Sequence, residues 1–132
     1  MKYYLIIFCI LLSSCSSHDF RQQKIVTEAY FVSQAMELYH WDNEKYPDVE
    51  IIYLSKELSV YLSKNRMQEQ LLSRVILYEN TKDSYTLHIL PFLGGKCFPL
   101  KITNDEIFIG GDINCDINPG KIAWNELPKW RR

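Results

Sequence analysis

The chain has 132 residues, with 15 lysines and arginines facing 16 aspartates and glutamates, a formal net charge of −1. Near-neutrality without a long basic run argues against nucleic acid as a partner. The length suits one small domain with a single core, and neither an internal repeat nor a low-complexity segment divides it.

The N-terminus reads first as an address. Met1 and Lys2 precede an apolar run from Tyr3 to Leu12, and small residues follow. A short positive start, an apolar core and small residues describe a secretory signal. A stable membrane span needs about 20 apolar residues, so this run is too short to be one. The segment Leu12-Ser13-Ser14-Cys15 resembles the lipobox of bacterial lipoproteins. That resemblance implies cleavage before Cys15, a diacylglyceryl group on its sulfur and a further acyl chain on the new amino group. Two or more acyl chains, at about 0.8 kcal/mol per buried methylene, make a lasting membrane anchor. The expected organisation is a signal peptide over 1–14, a lipidated tether over 15–19 and one domain over 20–132. Ser16 stands where an aspartate would favour retention in the inner membrane, so the expected location is the periplasmic face of the outer membrane.

Loss of Lys2 with the signal leaves 14 basic residues against 16 acidic, a formal −2. Of the four cysteines, Cys9 leaves with the signal and Cys15 is committed to lipid. Cys97 and Cys115 remain, an even pair in an oxidising compartment, and a disulfide is expected between them. Two cysteines without nearby histidines are too few for a zinc site.

Along the domain, Ile25, Ala29, Val32, Met36 and Tyr39 recur at alternating spacings of four and three, which predicts one apolar helix face between about Phe20 and Asn43. Ala35 widens that face, Thr27, Gln34 and Glu37 lie opposite, and Asp19 is the expected N-cap. The helix stops at Asp42-Asn43-Glu44-Lys45-Tyr46-Pro47, because Pro47 lacks an amide proton and biases Tyr46 away from helical geometry. A shorter helix is expected from Ile52 to Leu62, with Leu54, Leu58, Tyr61 and Leu62 inward. Residues 63–70 read equally as loop or helix extension. Strands follow at Val75–Glu79 and Tyr85–Leu90 around a turn at 80–84, then at Cys97–Thr103 and Glu106–Ile109 around Asn104-Asp105. Gly94-Gly95 and Gly110-Gly111 bound these strands. Helices in one block and strands in the next predict an α+β fold, a long helix and a short one packed on about four antiparallel strands.

The run Ala35-Met36-Glu37-Leu38-Tyr39-His40-Trp41-Asp42-Asn43-Glu44-Lys45-Tyr46-Pro47 resembles the helix exit of type II secretion pseudopilins and related type IV pilin-like proteins. In that family a long helix closes with a tyrosine, an Asp-Asn-Gly-type turn and Tyr-Pro, ahead of a sheet whose C-terminal region is often pinned by a disulfide. The resemblance implies a pilin-like head in a secretion- or pilus-related setting. Glu44 stands where the family usually has glycine. The prepilin cleavage motif and the hydrophobic helix that packs pilins into filaments are missing, so ordinary polymerisation is not expected and lipid would replace the membrane helix.

Several residues invite a chemical reading. Asp112, Asn114, Asp116 and Asn118 alternate after Gly110-Gly111, and oxygen ligands at such spacing can wrap calcium. The resemblance adds weight, since major pseudopilins bind calcium in a C-terminal loop. An EF-hand would need glycine and glutamate where Ile117 and Ala123 stand, and the competing reading is an Asx-rich turn pinned by Cys115, with Asn118-Pro119-Gly120 as a bend. His18, His40 and His88 share no metal-ligand spacing, and His88 is expected on a polar strand face. No serine lies in a nucleophile-elbow or Ser-x-x-Lys setting. Trp41 is expected to pack at the helix end, while Trp124 and Trp130 are candidate interface anchors. The leading expectation is a non-enzymatic, membrane-anchored module that binds an envelope protein. An inhibitor or exclusion-type lipoprotein that blocks an incoming enzyme or toxin is the alternative; a small envelope hydrolase is third, with no positive feature behind it.

Overall fold

A computed structural model describes residues 20–63 and 65–130. Cys15, Asp19 and the terminal Arg131 and Arg132 fall outside the described residues, as do the signal and the tether. Helix α1 spans Phe20–Asn43. Its inward face carries Ile25, Ala29, Val32, Ala35 and Met36, all fully buried, joined by Val26. Tyr39, the last residue of the apolar spacing, packs on this core from a half-buried position.

The exit from α1 is held by its own residues. Asn43 Nδ2 donates to the Tyr39 carbonyl (2.9 Å), and the Glu44 amide donates to the His40 carbonyl (2.8 Å). Glu44 adopts a left-handed φ of 59°. Tyr46 then turns inward and is buried, its hydroxyl donating to both Glu37 carboxylate oxygens (2.9 and 3.1 Å). Burial first, and the bond to Glu37 second, hold the Tyr46 phenol well above its ordinary range. The Tyr78 hydroxyl donates to the Pro47 carbonyl at 2.6 Å, which ties this exit to the sheet.

Helix α2 covers Ile51–Glu57 with Leu54 buried, and Leu58 follows it into the core. It is shorter than expected from the sequence. After Glu57 three-residue bonds, Ser59 amide to Lys56 carbonyl and Tyr61 amide to Leu58 carbonyl, mix with the four-residue bonds of the Leu58 and Leu62 amides, which turns the chain while keeping Leu58 inside. The undecided stretch resolves into a separate helix, α3, over Arg66–Ser73. Asn65 caps it by accepting from the Met67 amide (2.8 Å). Gln68, the third residue of α3, is buried and donates to Glu28 of α1 (3.0 Å), while Ser63 Oγ donates to its side-chain oxygen (3.0 Å). Asn65 also donates to both Glu28 oxygens (3.2 Å each), so one carboxylate clamps α3 to α1.

Strands β1 (Val75–Asn80), β2 (Tyr85–Ile89), β5 (Leu100–Thr103) and β6 (Ile107–Ile109) form an antiparallel sheet in the order β1-β2-β5-β6. Leu87, Ile89, Leu100, Ile102 and Ile109 point from it into the same core as the inner face of α1. Both hairpin turns use a threonine hydroxyl: Thr81 Oγ1 accepts from the Ser84 amide, and Thr103 Oγ1 accepts from the Glu106 amide, each at 3.0 Å. The single strand expected over Cys97–Thr103 is divided. Pro99 has no amide proton for a ladder bond, and Lys96–Cys97 instead forms β4, paired with β3 (Phe92–Leu93). Their turn is Gly94-Gly95, both at positive φ, 65° and 82°. Phe98, Leu100 and Ile102 are nonetheless all fully buried, as their alternation predicts.

Cys97 and Cys115 are bonded, and Cys97 also exchanges two backbone hydrogen bonds with Ile113 (3.1 and 2.8 Å). The last residues run back beside β6: the Ile109 amide donates to the Pro128 carbonyl and the Trp130 amide to the Ile107 carbonyl. The result is an α+β fold with an N-terminal helix, two short helices, a four-stranded antiparallel sheet and one disulfide. Among the described residues no helix is long and apolar enough to cross a membrane.

Candidate functional site

The outward side of α1 does not read as a plain solvated face. The helical period that buries Ile25, Ala29, Val32 and Met36 sends Tyr30, Phe31 and Leu38 the other way, and all three are exposed. Tyr30 and Phe31 meet edge to face with ring centroids 6.3 Å apart. Beside them runs a groove of about 910 Å³ between α1 and the β5–β6 turn. Val26 is its buried floor, and half-buried Ile107 and Trp130 close the far wall.

The polar groups of this groove are mostly neutral, and its charged ones are three carboxylates and Lys129. Glu37 lies on the α1 side, occupied by the Tyr46 hydroxyl, and Asp105 and Glu106 lie on the turn. Lys129 pairs with Glu106 at 2.5 Å, across the strand-like return of the C-terminal segment. Tyr30 and Phe31 thus form an aromatic shelf beside an apolar floor, with a rim of neutral polar side chains, three carboxylates and Lys129.

The candidate residues read from sequence do not converge here, except for Trp130. Trp124 lies on the opposite side of the sheet, stacked flat on His88 (centroids 4.5 Å, interplanar angle 7°), its indole nitrogen donating to the Pro119 carbonyl (3.2 Å). His88 does face away from the core, as its alternation predicts, but the indole half-covers it. Burial, followed by the charge of neighbouring Lys101, lowers the His88 pKa, while Glu79 opposes more weakly. Trp41, expected to pack at the end of α1, is 84% exposed, because the chain turns inward at Tyr46 and leaves the indole on the outer side. The position at the helix end is taken instead by Tyr46, which sits between a tilted His40 ring (4.4 Å) and an edge-to-face Tyr85 ring (4.8 Å).

The acidic loop after β6 takes the form of Asx turns. Asn114 Oδ1 accepts from the Asp116 amide (3.1 Å), Asn118 Oδ1 accepts from the Gly120 amide (2.9 Å), and Asp112 lies 3.8 Å from the Arg21 guanidinium. Among the described residues, no group of three or more histidine, cysteine, aspartate or glutamate side chains is placed to hold a metal ion.

Tyr30, Phe31, Asp105 and Ile107 are the groove residues that sequence reasoning missed. A signal existed for the helix: Phe31 and Leu38 are one heptad apart on the face assigned to Thr27, Gln34 and Glu37. Comparison with family models, curated proteins and solved structures finds no match to this chain.

Proposed function

We propose that this protein is a lipid-anchored envelope module, non-enzymatic, whose pilin-like domain binds a protein partner in the groove between α1 and the β5–β6 turn. The observation that carries the reading is the second apolar side of α1, which sets Tyr30 and Phe31 beside Ile107 and Trp130. A helix apolar on both sides in a small domain is one that has a further surface to cover. The exposed carboxylate of Asp105 favours a partner segment with a basic residue next to its apolar ones, while Glu106 is already paired with Lys129.

The anchor is supported by Leu12-Ser13-Ser14-Cys15 at the end of a secretory signal, with only residues 15–19 before α1 begins. Five residues reach at most about 17 Å when fully extended, so the domain would work at the bilayer surface. The pilin-like reading is supported by the order of elements, by the Tyr46-Pro47 exit and by the disulfide in the C-terminal region. The test is a photo-crosslinking residue in place of Phe31, in cells expressing the full chain. One discrete adduct, lost when Trp130→Ala is added and absent when the crosslinker replaces exposed Glu69 on α3, is the expected result. Equal adducts from both positions would show that the groove selects nothing.

A further inference from the structure

The two sulfurs of the disulfide sit in unlike surroundings. Cys97 is fully buried, whereas Cys115 is half-buried in the exposed loop that carries the Asx turns. Arg74, at the end of α3, aims its guanidinium at the buried sulfur, with Nη2 3.4 Å from Cys97 Sγ. Its Nε donates to the Leu90 carbonyl at 2.5 Å, which fixes the side chain, and its backbone carbonyl accepts from the Leu90 amide at 3.2 Å, which fixes the backbone beneath it. Among the described residues no carboxylate pairs with this guanidinium. A half-buried cation without a counter-ion therefore rests against a sulfur.

A neutral disulfide gains little from such a neighbour. A thiolate gains a great deal, because the attraction acts where water is partly excluded. The cation thus favours the charge that develops on Cys97 when the bond opens, and burial leaves Cys115 as the sulfur that a second molecule can reach.

We propose that Cys97–Cys115 is a directional thiol–disulfide exchange site, attacked at Cys115 with Cys97 as the leaving thiolate, and that its partner is a dithiol reductant of the oxidoreductase type. In the first step a thiolate of the reductant attacks Cys115 Sγ. A mixed disulfide forms there, the Cys97–Cys115 bond breaks, and its electron pair stays on Cys97 Sγ beside Arg74. In the second step the reductant's other thiol loses its proton and attacks its own sulfur in the mixed disulfide. Cys115 leaves as a thiolate and takes up that proton. The reductant ends as a disulfide, and this chain has gained two electrons. A leaving group stabilised as thiolate speeds the first step. Opening frees the loop between Asn114 and Asn118, while the two backbone bonds between Cys97 and Ile113 keep its start in place and the Trp124–His88 stack holds the chain beyond it. The inference stands apart from the groove and from the anchor.

The full chain, purified in detergent, is treated with glutathione, quenched with iodoacetamide and mapped by peptide mass spectrometry, which keeps Cys9 and Cys15 separate. Glutathione on Cys115 and carbamidomethyl on Cys97 is the expected pattern, and in urea the preference disappears. Glutathione on Cys97, or an even split in the folded protein, overturns the proposal. Arg74→Gln is then expected to slow reduction by dithiothreitol roughly threefold to tenfold and to move the pH midpoint for Cys97 alkylation upward; Arg74→Lys restores much of both. A merely structural arginine predicts the reverse, because a loosened bond is reduced faster. An unchanged or faster rate in Arg74→Gln, with an unmoved midpoint, contradicts the proposal, and the adduct pattern decides the matter if that variant does not fold.

Discussion

Glu44 holds a left-handed φ of 59° directly after α1, at the position where the pilin-like exit it resembles carries glycine. A side chain in that region costs about 1–2 kcal/mol of steric strain, which glycine escapes, at some loss through a freer unfolded chain. Glu44→Gly is therefore expected to stabilise the domain by about 0.5–1 kcal/mol, measured as a rise in denaturant midpoint at unchanged slope. A residue-scale effect of opposite sign belongs to His88. Its pKa is lowered in the folded protein, chiefly by burial against its neighbours. Below the ordinary histidine value of about 6.5 the unfolded chain takes up a proton that the folded chain refuses, so stability falls as pH drops from there through the folded pKa and levels off beneath it. Melting curves between neutral and acid pH should show that fall, and His88→Gln should flatten it. An identical pH profile in the variant would mean that His88 is not the group responsible.

At the scale of elements, the three helices differ in what secures them. Helix α1 could be read to its end residues because a regular apolar face, Asn43 and Tyr46-Pro47 all agree on one answer. Helix α3 escaped because its inner face includes a buried polar residue, Gln68, where periodicity looks for an apolar one. Its local signal lay elsewhere, in Asn65 as cap and Gln68 three residues later, a pattern close to a capping box. The split of Cys97–Thr103 into β4 and β5 follows from Pro99, whose missing amide proton breaks the ladder although the apolar alternation runs through it. The groove was less accessible still, since Tyr30 and Trp130 are joined only by the packing of α1 beside β6 and no local pattern carries that distance. The Glu28 clamp adds polar bonds to an α1–α3 contact that Leu71 and Leu72 also fill, and its loss should be costly. Gln68→Ala leaves Glu28 with one donor fewer in a partly buried setting and is expected to destabilise by about 2 kcal/mol. Phe31→Asp, on the exposed side of α1, is expected to lie within about 0.5 kcal/mol of the parent.

For the whole molecule, the disulfide and the proposed anchor define opposite demands. The loop closed by Cys97 and Cys115 spans a sequence separation of 18 and is worth about 3 kcal/mol by the loop-entropy account, so Cys115→Ser should lower the melting temperature by several degrees. That contribution suits a small domain in an oxidising compartment. The proposed anchor, by contrast, would add nothing to folding and would decide where the groove is presented. Helix α1 rises about 36 Å over its 24 residues, and Tyr30 and Phe31 lie about 15 Å along it from its start. The most direct measurement of this account is incorporation of a clickable palmitate analogue in bacterial cells expressing the full chain. Label on the parent, absent from Cys15→Ala and accompanied by loss of that variant from the membrane fraction, is the predicted result; equal label on both chains, or an unlabelled parent in the soluble fraction, would contradict it.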